Sequence, residues 1–280
     1  MMSAFSRDLC SKNSLKPVKH KKRLLLLSIL FALAIPLAYV LLMPDVSKLQ
    51  KENPAKTSFM KYREKEGEEK GKKYRIFQVW VPLSRISPYI IRAVLIAEDD
   101  KFWKHEGFDY EAIQKAMEKD IKAKKFKLGG STISQQLAKN LYLSPAKNPF
   151  RKIAEAVITW RMEKVLSKKR ILELYLNVIE WGEGLFGVEA ASRQYFGKSA
   201  ADLSAEEAAR LAAVLPNPRK YDPAGNQRYV VNRSNLIYSI MVKRGIVIPE
   251  YKEVTGEEDP PSEAGNDPAR VPIEKLRPAD

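Results

Sequence analysis

The sequence predicts a mostly α-helical protein with a single transmembrane helix near its N-terminus. An uncharged apolar run occupies residues 24–43. From residue 86 to residue 243, apolar residues recur with helical spacing, whereas only residues 74–81 alternate as a strand does. Hydrophobic residues make up 45% of the 280 residues, which is enough for a substantial core.

The apolar run is long enough to cross a membrane. It contains 20 residues, interrupted only by Ser28 and Pro36, and a helix of that length spans roughly 30 Å, the thickness of a bilayer core. A cleaved signal peptide and a buried helix are the alternatives, but the run is long for a signal peptide and lacks a small-x-small cleavage site. We therefore interpret residues 24–43 as a signal anchor, and the basic residues before it place the N-terminus in the cytoplasm.

Composition divides the rest of the chain. Residues 1–23 form a basic arm, and residues 44–73 are charged and poor in apolar residues, which predicts a stalk or a solvated helix. Residues 74–250 carry the helical pattern and form the predicted domain. Residues 251–280 are rich in proline and have no periodicity, so we predict a disordered tail.

Charge and cysteine content limit the kinds of partner and site. The net charge is +15, and nucleic acid, anionic lipid and a diphosphate ligand would each suit it. The single cysteine, Cys10, excludes an intramolecular disulfide framework. Because His105 is the only histidine outside the basic arm, we predict no histidine-based metal site.

An acidic triplet follows the first helical stretch of the predicted domain. Glu98, Asp99 and Asp100 come directly after an apolar stripe. Carboxylates are disfavoured at the negative end of a helix macrodipole, and this placement raises a carboxyl pKa in a way that suits a general base. The alternative is a solvated helix end.

The stretch from Gly129 to Asn140, GGSTISQQLAKN, predicts a ligand site at the start of a helix. The glycines permit a close approach of the backbone to a ligand, and Ser131 and Thr132 are favoured N-cap residues. A capped helix N-terminus binds anions through its free N–H groups. Polar side chains in the first turns add to the site, namely Gln135, Gln136 and Lys139. The same loop-to-helix start also occurs in ordinary folds.

Later segments predict further helices. Arg151, Lys152 and Glu155 are spaced to share adjacent faces of one helix, either in a site or as a surface ion pair of little energetic value. Residues 188–196 and 205–215 are rich in alanine, which suits close packing. The six lysines of residues 115–127 form either a solvated helix face or a mobile loop over an anionic ligand.

These segments together resemble the monofunctional peptidoglycan glycosyltransferases, lysozyme-like polymerases of lipid II. Five motifs match in order over about residues 74–243. The first is Glu98-Asp99 with Phe102, His105 and Gly107. The second is the GGST stretch, with Ser134 where the family usually has threonine. The remaining three are Arg151-Lys152-x-x-Glu155, residues 168–177 and residues 187–197.

The resemblance implies a lysozyme-like glycosyltransferase domain and a role for each matching residue. Glu98 would be the general base that deprotonates the 4-hydroxyl of the acceptor N-acetylglucosamine. Glu155 would be the second essential glutamate, in the donor half of the site. The remaining matching positions would bind substrate, and they are Asp99, Ser131, Thr132, Gln135, Gln136, Lys139, Lys147, Arg151 and Lys152.

The chemistry of this reaction agrees with the residue set. A glycosidase needs a carboxylic acid to protonate its leaving group. A lipid diphosphate is already stable as an anion, so lysine and arginine can replace the acid by stabilising developing charge. One base on the acceptor side then suffices for an inverting displacement.

The resemblance also implies partners and location. The partners would be lipid II, the growing lipid-linked glycan, the membrane and cell-wall synthesis or division proteins. The protein would be a single-pass inner-membrane protein with a periplasmic catalytic domain. No dedicated cofactor is implied, although Mg²⁺ or Mn²⁺ would fit at the donor diphosphate.

Three other functions compete with this interpretation. A lysozyme-like cleaving enzyme would use Glu98 as an acid, but glycan cleavage has no diphosphate for the basic residues to bind. A non-catalytic scaffold of the cell-wall machinery would not need both glutamates and the cationic set. A nucleic-acid-binding protein does not fit an external domain without an aromatic-basic recognition motif.

Overall fold

The protein is described here by a computed structural model that covers residues 23–24, 26–28, 44–123, 130–145 and 149–248. The chain divides into two units, Met1–Pro44 and Asp45–Asp280. Most of the predicted span and the whole predicted tail lie outside the described residues, as does nearly all of the basic arm. Among the residues that are described, no helix is both long and apolar enough to cross a membrane.

The prediction of a mostly helical protein is confirmed. Between residues 45 and 248, the described residues form nine α-helices, three short 3-10 helices and three short strands. The α-helices are α1 (Ser58–Glu69), α2 (Pro88–Glu98), α3 (Tyr110–Ala123), α4 (Ile133–Tyr142), α5 (Pro149–Val165), α6 (Lys168–Val178), α7 (Val188–Phe196), α8 (Ala205–Val214) and α9 (Arg228–Lys243). The 3-10 helices are Ser47–Gln50, Leu83–Arg85 and Ala200–Asp202.

Helices α2, α8 and α9 pack against one another. Helix α2 starts sharply because Ser87 caps it and Pro88 occupies its first turn. Its apolar face is buried, and the alanines of α8 are buried too, so the backbones approach closely. This packing brings the C-terminal helix α9 to the end of α2, where the acidic triplet begins.

Helix α4 occupies a central position, in contact with α1, α5 and α6. Seven of its ten residues are buried, including the polar Ser134, Gln135 and Asn140. Helix α6 is buried along Leu174–Val178. The two stretches that the sequence matched to the second and fourth family motifs are therefore neighbours in the core.

A small sheet contains β1 (Phe77–Gln78), β2 (Glu180–Gly182) and β3 (Leu185–Phe186). Strand β1 pairs parallel to β3, and β2 pairs antiparallel to β3. The strand predicted over residues 74–81 is much shorter because a side chain replaces its partner strand. The Asn177 side chain accepts from Val81 N–H at 2.9 Å and donates to Val81 C=O at 2.9 Å.

The stalk predicted for residues 44–73 differs from the structure, which folds this segment onto the domain. Helix α1 buries Met60 completely. Arg63 pairs with the buried Glu180 at 2.8 Å. Arg170 of α6 donates to the carbonyl oxygens of Leu49 at 2.8 Å and Glu52 at 2.9 Å. Charged residues alone predicted a solvated segment, but these charges are used to bind the segment to the domain.

Candidate active site

Glu98 is the last residue of α2, and its side chain is only 14% exposed. Ile90, Val94 and Glu98 are spaced by four, so Glu98 continues the inward-facing row of the helix. Its Oε2 accepts from Gln136 Nε2 at 2.9 Å, and Arg233 Nη2 lies 3.7 Å from its Oε1. Tyr175 donates in turn to Gln136 Oε1 at 3.0 Å. The sequence predicted that Glu98 and Gln136 share a site. It matched Tyr175 to the fourth family motif without giving it a role, and it gave no sign of Arg233.

Asp99 is turned inward, with only 2% of its side chain exposed. Its oxygens lie 2.9 and 3.1 Å from His105 Nε2, and Oδ2 also accepts from the Ile133 backbone N–H at 2.9 Å. Gly107 N–H donates to His105 Nδ1 at 3.1 Å, so Nε2 carries the ring proton and donates to Asp99. Asp99 thus ties the loop after α2 to the first turn of α4, and direct contact with substrate stays a prediction.

Thr132 and Gln135 form a capping box at the start of α4. Thr132 accepts from Gln135 N–H at 3.2 Å, and Gln135 accepts from Thr132 N–H at 3.0 Å. The Thr132 hydroxyl also donates to the Gly107 carbonyl at 2.7 Å. Gly130 has φ +135°, in agreement with the expected glycine-dependent turn. Because both capping side chains are buried, their predicted contact with substrate stays a prediction.

The second carboxylate, Glu155, lies in a cluster of cations. Its side chain is buried and forms a close ion pair with Lys152. Lys152 also donates to Ser131 Oγ at 3.4 Å, which links α5 to the turn before α4. The Nε of Arg151 is buried and has no hydrogen-bond partner among the described residues. The structure therefore brings Ser131, Arg151, Lys152 and Glu155 together, as the sequence predicted.

Lys139 interacts electrostatically with both Glu98 and Glu155. Burial lowers the pKa of its ammonium group. The positive charges of Arg151 and Lys152 lower it further, whereas the negative charges of Glu155 and Glu98 raise it. A partly desolvated cation that interacts with two carboxylates and two other cations is suited to an anionic ligand. Lys147, the remaining predicted cation, lies outside the described residues.

The third member of the acidic triplet behaves differently from the prediction. The sequence predicted raised carboxyl pKa values at this helix end. The pKa of Asp100 is instead lowered, chiefly because Arg244 donates to it through both terminal nitrogens, at 2.5 and 2.9 Å. For Asp100 the prediction is wrong, since an arginine directly after α9 outweighs the helix dipole.

A cavity of about 240 Å³ opens beside Gln136 and Lys139. Helix α1 and the Leu215–Arg219 turn close it, and its walls include Phe59, Arg63, Asn140, Tyr175, Glu180, Asn217 and Arg219. Burial raises the pKa of Glu180 despite its bonds to Arg63 and Tyr74. The sequence analysis missed the walls from α1 and from Leu215–Arg219. The Pro-Asn-Pro-Arg run after α8 was the available signal, and it was interpreted only as a helix end.

The residues around this cleft do not assemble a metal site on their own. Within the described parts of the chain, no three His, Cys, Asp or Glu side chains lie together in a way that could hold a metal ion. The polar side chains that line the cavity are mostly amides and cations, together with those of Tyr175 and Glu180.

Comparison with known sequences identifies the family. The model of the family described as Transglycosylase matches residues 67–242. Three similar proteins are each named biosynthetic peptidoglycan transglycosylase. The Nitrosospira multiformis protein is 52% identical over 194 residues, covering 69% of this chain and 84% of the relative. The Dechloromonas aromatica protein is 58% identical over 170 residues, covering 61% of this chain and 74% of the relative. The Azoarcus sp. protein is 49% identical over 210 residues, covering 75% of this chain and 91% of the relative. Since the family match spans more than half of the chain and includes both glutamates, the chain belongs to the transglycosylase family.

Proposed function

We propose that this protein is a peptidoglycan glycosyltransferase that polymerises lipid II into β-1,4-linked glycan strands and releases undecaprenyl diphosphate. The observation that carries the proposal is the placement of Lys139, which interacts electrostatically with both Glu98 and Glu155. Lys139 lies on α4, whose Gln136 bonds to Glu98 and which packs against α5, the helix that carries Glu155. The domain belongs to the transglycosylase family. The lysozyme-like form of that domain is part of the proposal and rests on the resemblance.

On the acceptor side, Glu98 acts as the general base. A carboxylate that accepts a proton from a sugar hydroxyl must be ionised, within reach of the acceptor, and held in one orientation. The hydrogen bond from Gln136 Nε2 favours the ionised form and orients Oε2. The other oxygen, Oε1, remains on the side of Arg233. The acceptor hydroxyl transfers its proton to the Glu98 carboxylate while the hydroxyl oxygen attacks the donor sugar.

On the donor side, the cations stabilise the leaving diphosphate. Lys139, Arg151 and Lys152 surround Glu155, so this part of the cleft has excess positive charge. As the glycosidic bond to the diphosphate breaks, negative charge grows on its oxygens and preorganised cations lower the barrier. Glu155 holds Lys152 in place through their ion pair. Displacement from the face opposite the leaving group inverts the anomeric centre in a single step.

The lipid-linked substrate requires the site to work at a membrane. We propose that residues 24–43 anchor the protein in the inner membrane, with its N-terminus in the cytoplasm and its catalytic domain in the periplasm. Exposed apolar side chains on the domain support contact with lipid. Ile153 and Trp160 are seven residues apart on one face of α5, and each is more than half exposed. Aromatic side chains with a polar edge are favoured at membrane interfaces.

A divalent cation at the diphosphate is a further part of the proposal. Mg²⁺ is commonly held by one or two carboxylates and by the phosphate oxygens of the substrate. Glu155 is the carboxylate nearest the proposed diphosphate site. An ion there would neutralise diphosphate charge alongside the lysines. Cell-wall synthesis or division proteins are proposed partners on the strength of the resemblance.

The test is incubation of the detergent-purified protein with labelled lipid II, with Glu98→Gln in parallel and products resolved on a gel. We expect long, lysozyme-sensitive glycan from the wild type and none from a folded Glu98→Gln variant, with Glu155→Gln nearly inactive. Cleavage of preformed glycan without polymer formation would favour a lytic enzyme. Absence of both activities from a folded wild type would favour a scaffold.

A further inference from the structure

Arg233 of α9 is an arginine buried beside the proposed general base. The residue is only 2% exposed. Its Nη2 donates to the Ala97 carbonyl at 3.3 Å and lies 3.7 Å from Glu98 Oε1. Its Nε and Nη1 are buried and have no hydrogen-bond partner among the described residues. Arg233 is therefore a charged group that is removed from water and directed at one end of α2.

The burial of Arg233 demands a compensating negative charge. A guanidinium stays protonated in proteins, and a buried charge is costly unless it is paired. Within the part of the chain that the structure describes, Glu98 is the carboxylate that forms an ion pair with Arg233. The charge of Arg233 is thus compensated when Glu98 is ionised and left uncompensated when Glu98 takes up a proton.

Other charged and titratable groups also surround Glu98. Asp99 follows it in the chain and is already bonded to His105 and to the Ile133 backbone N–H. Lys139 of α4 attracts Glu98 but is also within the field of Glu155. Tyr175 of α6 donates a hydrogen bond to Gln136, which in turn donates one to Glu98. Arg233 lies within ion-pair distance of the Glu98 carboxylate, at 3.7 Å.

We propose that Arg233 is a positioning residue that keeps Glu98 ionised and holds its Oε1, so that Oε2 is presented toward Gln136 and the acceptor. Glu98 sits in a largely desolvated place beside a second carboxylate, and both conditions favour its protonation. The buried guanidinium opposes them. The catalytic consequence of this proposal rests on the proposed function, whereas the coupling between Arg233 and Glu98 does not.

The kinetic test is the pH dependence of kcat/KM for polymerisation. Removal of the cation in Arg233→Gln destabilises the carboxylate, so the pKa of Glu98 rises and the acidic limb moves to higher pH, by roughly one to three pH units. Arg233→Lys retains the charge and should recover most of the shift. Arg244→Gln is the matched control, because Arg244 follows the same helix and pairs with Asp100 rather than Glu98. A folded Arg233→Gln enzyme with an unshifted limb would overturn the proposal.

A second test needs no activity. Chemical unfolding is measured for the wild type, Arg233→Gln, Glu98→Gln and the double variant at neutral pH. Each single change leaves one buried group without its partner, so the double variant should be more stable than the sum of the single effects predicts. Additive effects at neutral pH would contradict the ion pair. If Arg233→Gln does not fold, restoration of folding by Glu98→Gln supports the proposal. Failure of the double variant to fold, together with an Arg233→Lys limb that shifts although the charge is retained, overturns it.

The two tests separate this proposal from the proposed function. A wild type that makes no glycan would refute the function, while the unfolding cycle would still report whether Arg233 and Glu98 are coupled. Polymerisation by the wild type with an additive unfolding cycle would leave the function intact and refute the role of Arg233.

Discussion

Tyr175 donates a hydrogen bond of 3.0 Å to the Gln136 amide oxygen, and this bond determines which end of the amide meets Glu98. A carboxylate can only accept, so the Gln136 nitrogen must face it and the oxygen must face away. Tyr175 is almost fully buried, and burial followed by the charges of Glu98 and Asp99 raises the pKa of its hydroxyl well above 10. It therefore remains a hydrogen-bond donor across the physiological pH range.

Tyr175→Phe should slow polymerisation by about tenfold, which corresponds to roughly 1.4 kcal/mol. Without the hydroxyl, the Gln136 amide is free to turn its oxygen toward Glu98. The measurement is kcat and KM with labelled lipid II, and the loss should fall mainly on kcat. In a Gln136→Ala background the same substitution should have little further effect. Tyr195→Phe, which removes a hydroxyl bonded to the Trp181 carbonyl, should retain activity, and equal losses in both variants would argue against this role.

Thr132→Ala should reduce both stability and activity. It removes the N-cap of α4 and the bond to Gly107, at a cost of about 1–2 kcal/mol. Ser204→Ala removes a similar capping box from α8, away from the cleft, and should cost about as much stability while polymerisation is retained. Thermal unfolding and glycan synthesis are measured for both. Unchanged activity in Thr132→Ala would show that the cap is structural only.

Gly107→Ala should destabilise the protein strongly. Its φ is +90°, which costs other residues roughly 1–2 kcal/mol, and an added Cβ would lie 2.9 Å from Thr159 Cγ2 and 3.0 Å from Glu163 Cγ. Crowding in a packed interior adds about 1–3 kcal/mol. Gly197→Ala is the control, since its φ is +69° but an added Cβ there has no neighbour within 4 Å. Urea unfolding should show a clearly larger loss for Gly107→Ala than for Gly197→Ala.

Glu66 should contribute to stability at neutral pH and not in strong acid. Hydrogen bonds from Lys70 and Arg63 lower the pKa of Glu66 from 4.5 to about 2. A carboxyl whose folded pKa is depressed stabilises the fold above its unfolded pKa and loses this effect as the pH falls toward the folded value. Glu66→Gln should therefore be less stable than the wild type above about pH 5, with the difference shrinking toward pH 2.

The control for Glu66 is Glu69→Gln. Glu69 is mostly exposed and lies 3.9 Å from Lys65, and exposed pairs of this kind contribute little. Urea unfolding at pH values between 3 and 7 compares the two variants. A Glu66→Gln loss that does not depend on pH would mean that packing, rather than ionisation, explains its effect.

The helices and their order could be predicted because they depend on local signals. Apolar spacing, caps such as Ser87 and Thr132, and the Pro216 and Pro218 breaks are all readable within a few residues. The pairing of Glu155 with Lys152 also follows from helical spacing. These features need no knowledge of how distant segments meet.

The surroundings of Glu98 could not be predicted in the same way. The approach of Arg233 and Tyr175 depends on how α2, α6 and α9 pack. Tyr175 lies in the fourth family motif, but the motif does not say what it bonds to, and Arg233 has no distinctive local pattern. The strand predicted over residues 74–81 is limited to Phe77–Gln78 for a related reason. Val81 bonds to the Asn177 side chain, which lies 96 residues further along the sequence. The stalk was predicted for residues 44–73 from their charge alone. The distant residues that bind this segment, such as Glu180 and Arg170, are brought close only by the fold.

The contacts around Glu98 also have a consequence for biosynthesis. Gln136 lies 38 residues beyond Glu98, and Arg233 lies 136 residues beyond Ala97, to which it is bonded. A growing chain releases α2 first, then α4 and finally α9, so Gln136 becomes available to Glu98 well before Arg233 does. Chains truncated before α9 would therefore lack the Arg233 contact even if the two glutamates and the lysines were present. On the proposed role of Arg233, the charge environment of Glu98 is completed only after α9 has been made.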